Sequence, residues 1–366
     1  MEYRKLPHGE EQISILGIGT SSIGQAGEAE IEAVVSLAIE QGINYFDMAS
    51  ADAPPFPAFG HAVASAGIRD KVYFQLHFGA DYQSGQYGWT TDLDTIKRSI
   101  DWQLKALKTD YIDFGFLHCI DEKQDLRQAV DGGTLDYIQE LQREGVVRHI
   151  GLSSHTPDVV NQVLDLGILD MLMFSINPGY DYHHGDYAIG GAEERLALYR
   201  RCETEGVGIS VMKAFSGGQL LDRRTSPFGM ALSEYQCIQY ALDKPGVLTI
   251  LPGVRNTADL QRLLGFLDAS PEARDYSILG TFAPKDISGI CVYCNHCQPC
   301  PVGLDIGLIN KYYDLSRAGD ALAAEHYRSM KFHAGDCVSC GHCNDRCPFH
   351  VNQTRRMREI QNYFQE

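Results

Sequence analysis

Short apolar runs rich in β-branched and aromatic residues alternate with amphipathic stretches from about residue 15 to residue 268. The strand-like runs are ILGIGTS (15–21), NYFDMAS (44–50), KVYFQLHFG (71–79), YIDFGFLHC (111–119), HIGLSSH (149–155), MLMFSIN (171–177), GISVMKA (208–214) and VLTILPG (247–253). Near-continuous apolar runs of this length suit strands buried on both faces, as in a parallel sheet. Between them, IEAVVSLAIEQG, LDTIKRSIDWQLKALK and GTLDYIQELQREG repeat apolar residues at spacings of three and four, and the first and last stop at glycine. Eight such strand–helix units in this span predict a (β/α)₈ TIM barrel, an α/β fold. An open doubly wound sheet would call for G-x-G-x-x-G after the first strand, and GIGTSSIG is a weak match. Ahead of the first unit, EYRKLPHGEEQISIL reads as a hairpin turning at His8-Gly9 that plugs the bottom of the barrel.

The pattern changes after residue 270. SPEARDYSILGTFAPKD has no clear period, and cysteines crowd behind it. The expected division is a barrel over 1–280 and a small ferredoxin-like iron–sulfur domain with a C-terminal helix over 281–366. Of 11 cysteines, Cys119, Cys202 and Cys237 are scattered and the other eight lie in the last quarter. CVYCNHCQPCP supplies Cys291, Cys294, Cys297 and Cys300, and CVSCGHCNDRCP supplies Cys337, Cys340, Cys343 and Cys347. The second run is the C-x₂-C-x₂-C-x₃-C-P spacing of bacterial two-cluster ferredoxins, in which the fourth cysteine ligates the other cluster. By that logic one 4Fe-4S cluster takes Cys291, Cys294, Cys297 and Cys347, and the other takes Cys337, Cys340, Cys343 and Cys300. Zinc knuckles also use C-x-x-C pairs, but this spacing twice over, each run closed by proline, favours iron–sulfur. The clusters are read as one-electron carriers, with a purely structural role as the alternative.

Bulk composition narrows the rest. A 366-residue chain with 44% hydrophobic and 22% charged residues is globular, and a net charge of −17 excludes nucleic acid and anionic membrane as partners. The N-terminus MEYRKLPHGEEQ lacks a signal-peptide core, and no run nears the roughly 20 apolar residues of a membrane span. A cytoplasmic protein is expected, in keeping with cysteines used for metal rather than disulfides.

Several segments carry a resemblance to a known family. EYRKLPHGEEQISILGIGTSSIG, GINYFDMA, TDYIDFGFLHCID, REGVVRHIGLSSHTP and ILPGVRNTADL are similar to successive pieces of aldo-keto reductases, including a branch with a C-terminal two-cluster module. The resemblance implies NADP(H) or NAD(H) bound at the carboxyl-end mouth of the barrel, and reduction or oxidation of a small carbonyl-like substrate by an Asp, Tyr, Lys and His set. Asp47 and His118 match the Asp and His; Phe59 stands for the Tyr and His77 for the Lys. Catalytic candidates are therefore Asp47, His77 and His118. The likeness puts Ser153, Ser154, Lys213, Gly217, Gly218, Gly253 and Arg255 at the cofactor, with Met173 and Leu263 replacing a Gln and an Asn of the pattern.

Three readings of the mouth stay open: proton transfer by a histidine, a divalent metal on two His and one carboxylate, or a silent site in a non-catalytic electron-transfer subunit. His183 and His184, with Tyr180, Tyr182 or Tyr187, and Tyr82, Tyr87 and Trp89 in the loop after the third strand, are further candidates for contact with substrate or for the missing acid; a solvated loop is the plainer reading. Cys119 is read as a strand thiol. The expected partners are a small-molecule substrate and a redox protein, a ferredoxin or a flavoprotein.

Overall fold

The computed structural model of the chain describes every residue except Gln25, His183, Asp186, 283–287, 318–319 and Glu366, and it packs as two compact units. The first comprises Met1–Ile176, Val207–Ala214 and Leu248–Ala269. It opens with the antiparallel hairpin β1 (Tyr3–Lys5) and β2 (Gln12–Ser14), whose register pairs Lys5 with Gln12 about the expected His8-Gly9 turn. The barrel strands are β3 (Ile18–Gly19), β4 (Tyr45–Asp47) and β5 (Tyr73–Phe78); after a small hairpin, β6 (Ala80–Asp81) and β7 (Gly88–Trp89), come β8 (Ile112–Leu117), β9 (Val147–Ser154), β10 (Met171–Ser175), β11 (Gly208–Met212) and β12 (Val247–Ile250).

The eight barrel strands form one parallel sheet, and the bridges Leu16↔Ile250 and Gly19↔Gly253 bring its two edges together. Each expected strand is present; most are shorter than the apolar run that predicts them, while β9 begins two residues earlier than expected, at Val147. Leu6 and Ile13 of the first hairpin are fully buried and join Tyr45, Phe114, Met171 and Leu248 in one apolar cluster, so the hairpin does plug the barrel.

Helices α1 (Glu28–Glu40), α2 (Pro55–Ala66), α3 (Leu93–Ala106), α4 (Lys123–Asp131), α5 (Thr134–Arg143) and α6 (Pro157–Leu164) follow the strands in turn. Local signals set their ends: Asp92 caps α3 by accepting from Thr95 N at 2.9 Å, Pro55 and Pro157 begin α2 and α6, and Gly67 closes α2 in the left-handed region. The sequence then runs through α7 (Pro178–Asp181), α8 (Ala192–Thr204) and α9 (Glu234–Leu242) of the second unit, returns to the first for α10 (Thr257–Leu264), and ends with α11 (Pro271–Arg274), α12 (Ile306–Arg317), α13 (Ala321–Arg328), α14 (His342–Arg346) and α15 (Gln353–Phe364).

The second unit comprises Asn177–Gly206, Phe215–Val247 and Ser270–Glu366. Two buried carboxylates organise it. Asp181 accepts from Arg195 Nε at 2.7 Å and from the hydroxyls of Tyr199 and Tyr240 at 2.7 and 2.8 Å, which ties α7, α8 and α9 together. Asp314 of α12 accepts from Arg200 at 2.9 Å and Tyr293 at 2.9 Å, and pairs with Arg356 of α15. Ile309, Tyr327, Met357 and Ile360 supply an apolar centre against which Cys297 and Cys343 lie.

Gly60 faces the end of α3, and a Cβ there would run into the Ala106 carbonyl and come within 2.6 Å of Leu107 Cα. Helix propensity alone would make Gly60→Ala stabilising by about 1 kcal/mol. The backbone clash should win, and we expect a net loss of about 1–3 kcal/mol, read as a lower urea midpoint in anaerobic unfolding of the holoprotein. A midpoint at or above wild type would refute the tight α2–α3 contact.

Candidate functional site

Parallel strands that close into a barrel deliver their carboxyl ends to one mouth. Asp47 ends β4, His77 is the penultimate residue of β5, His118 follows β8, Ser153 and Ser154 end β9, and Lys213 follows β11. Three of these are joined directly. His77 Nε2 lies 2.6 Å from Asp47 Oδ1, and His118 Nδ1 lies 2.9 Å from His77 Nδ1. Asp47 is 3% exposed, His77 1% and His118 5%, so the three groups have almost no water to turn to.

Gln75, two residues before His77 and on the same inward face, completes the arrangement. Its Oε1 accepts from Tyr45 Oη at 2.8 Å and Ser210 Oγ at 3.3 Å, which turns its amide nitrogen towards Asp47 Oδ1 at 3.0 Å. Burial and the nearby His77 and His155 hold the His118 pKa well below its usual value. His118 is therefore neutral, and the three groups form a line of hydrogen bonds. Among the described residues the group whose ligand atoms all converge within 4.8 Å is Glu28, Glu32 and His61, at partly exposed positions; Asp47, His77 and His118 do not converge in that way. Tyr87, from the loop between β6 and β7, extends the line by placing its hydroxyl 2.8 Å from His118 Nε2.

A second polar group sits at the same strand ends. Asp121 accepts from His155 N at 2.6 Å and Ser154 Oγ at 3.2 Å, and its other oxygen lies 2.9 Å from His155 Nδ1. Lys213 Nζ lies 2.8 Å from His155 Nε2. Burial drives the Lys213 pKa down to about 8, against the opposing pull of Cys119 and Asp121. Burial, and next the Asp121 charge, pushes the neighbouring Cys119 thiol up to about 11, which makes it a poor nucleophile.

In the second unit the eight clustered cysteines line two separate cavities. One is bounded by Cys291, Cys294, Cys297 and Cys347; the other by Cys300, Cys337, Cys340 and Cys343, with Cys297 also in its lining. Peptide N–H groups already face sulfur: Val351 N donates to Cys347 Sγ and Ser339 N to Cys337 Sγ, each at 3.4 Å. Four thiols around a pocket with N–H groups aimed at sulfur fit a 4Fe-4S cluster in each cavity.

Residues 15–235 match the aldo/keto reductase family, and residues 288–351 match the 4Fe-4S dicluster domain. The chain belongs to the aldo/keto reductase family. It is an oxidoreductase fold carrying a C-terminal 4Fe-4S dicluster domain. Protein tas of Escherichia coli K12 is 30% identical over 221 residues, a match that takes in 53% of this chain and 64% of that protein, so the chain spans less than two thirds of that relative. L-galactose dehydrogenase of Arabidopsis thaliana is 27% identical over 236 residues, covering 61% of this chain and 68% of that protein. Among solved structures, aldo-keto reductase AKR11C1 from Bacillus halodurans in its holo form superposes with a TM-score of 0.62 at 24% identity, over 78% of this chain and 97% of that one, a likeness of fold. No helix among the described residues is long and apolar enough to cross a membrane.

Within this aldo/keto reductase barrel, Phe59 is fully buried and meets Phe46 edge-on at 5.7 Å; it is a core ring. Met173 Sδ takes a contact from the Gln75 amide at 3.1 Å, and Leu263 is buried in α10. Arg255, largely exposed, stands just ahead of α10 and pairs with Asp259, whose pKa the Arg255 hydrogen bond lowers to about 2. Gly253 packs against Ser22, while Gly217 and Gly218 adopt positive φ of 64° and 90° with open space where a Cβ would lie. Tyr82 is buried and donates to Ser50 O at 3.0 Å, Trp89 donates to His118 O at 3.2 Å, and Tyr182 packs against Phe228 and Tyr240. His183 lies outside the described residues, and His184 is exposed beside Phe228.

Gln75, Asp121 and His155 join these groups although the sequence pattern does not single them out. A Gln at i−2 from a candidate His on a buried strand is the available signal for the first, because i and i+2 share a face. No local pattern pointed to the pairing of Asp121 with His155, which joins two different strand ends.

At pH 8 Lys213 should acylate faster than the surface lysines, with an apparent pKa of about 8 read by mass spectrometry after pulse labelling. The Asp121 charge favours the ammonium, so Asp121→Asn should lower that pKa further. A Lys213 labelling profile like that of the surface lysines would refute its desolvation.

Proposed function

We propose that this protein interconverts a small carbonyl compound and its alcohol at the barrel mouth, with NADP(H) or NAD(H) as hydride carrier. Two 4Fe-4S clusters, one on Cys291, Cys294, Cys297 and Cys347 and one on Cys300, Cys337, Cys340 and Cys343, serve one-electron exchange with a ferredoxin or flavoprotein in the cytoplasm. The observation that carries this reading is the buried hydrogen-bonded line of Asp47, His77 and His118 at the carboxyl end of an aldo/keto reductase barrel. A carbonyl reaction needs a group that gives or takes one proton near neutral pH, and imidazoles held on a carboxylate can do so.

When bound, the nicotinamide supplies or takes up the hydride. Ser153, Ser154 and Lys213 at the mouth, with Gly217, Gly218, Gly253 and Arg255, are the residues that would hold the dinucleotide. Asp47 orients His77, His77 orients His118, and the line moves the proton. His77, standing where the family pattern has a Lys, brings no fixed positive charge; it passes protons instead of depressing a neighbour's pKa. The likeness to a protein named L-galactose dehydrogenase supports the oxidative direction.

The test is an anaerobic titration of cluster-replete protein with NADPH and NADH, followed by protein fluorescence and cluster absorbance. Saturable binding is expected, with His77→Ala and His118→Ala each lowering turnover while leaving the dissociation constant within a few-fold of wild type. Absence of binding at millimolar nucleotide would overturn the nicotinamide reading. For the clusters, Cys340→Ala should remove about half of the bound iron and sulfide, because each ligand set serves one cluster. An unchanged iron content would overturn the ligand assignment.

A further inference from the structure

With Phe59 in the core, the barrel lacks a phenol at the position the family pattern prescribes, yet the buried line ends on a different one. Tyr87 Oη lies 2.8 Å from His118 Nε2, and its ring stands edge-on to the imidazole at 5.6 Å. The side chain is 42% exposed, unlike Asp47, His77 and His118, so it is the member of the line that a bound molecule can touch.

The phenol is held in place by the backbone on both sides. Tyr87 N donates to Ala51 O at 3.0 Å, and Asp52 bridges Gln86 just before it. Immediately after it, Gly88 and Trp89 pair with Asp81 and Ala80, and the Trp89 indole donates to the His118 carbonyl at 3.2 Å.

The direction of every proton follows from Asp47. Its carboxylate can only accept, so His77 carries its proton on Nε2 and offers the Nδ1 lone pair. His118 must then donate from Nδ1 and accept at Nε2, and Tyr87 must donate its hydroxyl hydrogen to that nitrogen. The phenol oxygen is left with lone pairs for a substrate hydroxyl.

Resting on the carbonyl–alcohol reading above, we propose that Tyr87 is the acid–base residue in direct contact with substrate, and that Asp47, His77 and His118 are its proton store. In alcohol oxidation the substrate O–H proton passes to Tyr87 Oη and the Tyr87 proton to His118 Nε2. The His118 Nδ1 proton passes to His77 Nδ1, which leaves an imidazolium on the Asp47 carboxylate. The C–H bond breaks as its hydride goes to oxidised nicotinamide, and C=O forms. Carbonyl reduction runs the same transfers backwards and needs the store loaded beforehand.

Around His118 stand His77 from β5, Tyr87 from the β6–β7 loop, its own neighbour Cys119, His155 after β9 and Lys213 after β11, with Asp47 of β4 behind His77. Burial and the two histidines hold His118 neutral. Oxidation, which needs the empty form, should rise with pH through the apparent pKa of the coupled line, and reduction should rise as pH falls through it.

The deciding experiment compares wild type and Tyr87→Phe as anaerobic, cluster-replete protein. Probes are 1-phenylethanol with NADP⁺ and 4-nitrobenzaldehyde with NADPH, across pH 5–9, together with ¹⁵N-histidine NMR of the cofactor-free protein. In Tyr87→Phe we expect kcat to fall by about 10²–10⁴-fold, the opposed pH limbs to vanish, and nucleotide binding to stay within a few-fold. The His118 Nε2 resonance should move when its phenol donor is removed. Wild-type kcat and pH profile in the variant, or unmoved His118 nitrogens, would overturn the role of Tyr87 while the carbonyl–alcohol reading stands. A wild type inert with both probes would overturn that reading and this inference together, and the inert wild type tells the two failures apart.

Discussion

A carboxylate taken out of water must be satisfied by donors, and Asp47 is such a group. Its neighbours are set by that need. Gln75 cannot turn its carbonyl towards Asp47 because Tyr45 and Ser210 both donate to that oxygen, so its amide hydrogens meet the carboxylate. His77 must bring a hydrogen on Nε2, and each later group along the line inherits its tautomer from the one before. One buried charge thereby orders protons through two imidazoles. Replacing a cation by a histidine at position 77 changes the kind of site this is. A lysine would answer the Asp47 charge with a fixed charge, whereas an imidazole answers it with a hydrogen bond and passes the constraint on.

The same logic operates at the neighbouring strand ends with a different outcome. Asp121 is also partly buried, and burial by itself would raise its pKa; the hydrogen bonds from His155 and Ser154 prevail and hold it below the usual carboxylate range. His155 is thereby oriented with Nε2 towards Lys213. Here the line ends on a desolvated amine, not on a phenol. The mouth of this barrel therefore presents two polar termini of different character, the neutral Tyr87 phenol, its pKa raised by burial, and the Lys213 amine, which is cationic below about pH 8.

The barrel was legible because eight apolar runs at regular intervals leave few alternatives once a parallel sheet must be covered on both faces. The first strand, read over 15–21, forms a ladder only at Ile18–Gly19, since the rest of that segment makes single bridges across the closing edge of the sheet. Asp47, His77 and His118 were legible as strand-end residues. Their linkage was not, because a hydrogen bond between residues 41 positions apart depends on strand stagger and rotamer, which no local pattern encodes. Tyr87 was one of several aromatic candidates in loops. What separates it from Tyr82 is the β6–β7 pairing: Tyr82 turns inward onto Ser50 and Trp102, and Tyr87 turns towards His118. A two-residue hairpin strand is below the resolution of any periodicity argument.

The cysteine runs were legible for the opposite reason. Thiolate spacing is covalent information, and the allocation across the two runs follows from chain reach. The spacing does not reveal what keeps so short a module folded. Small domains bury too little apolar surface to stand alone without a metal or some other clamp. In the second unit part of that clamp is protein: Tyr293, the residue before Cys294, shares the Asp314 carboxylate with Arg200 of α8, and Arg356 of α15 closes the same hub. A buried carboxylate shared by two arginines and a tyrosine is costly to break, because losing one partner leaves the others unpaired. The hub therefore fixes the first cysteine loop to α8, α12 and α15 by polar contacts, while the apolar faces of α12 and α15 hold the sulfur atoms of Cys297 and Cys343 from the other side. The two kinds of contact meet on the same helices, α12 and α15, which bear both the polar hub and the apolar cluster holding Cys297 and Cys343.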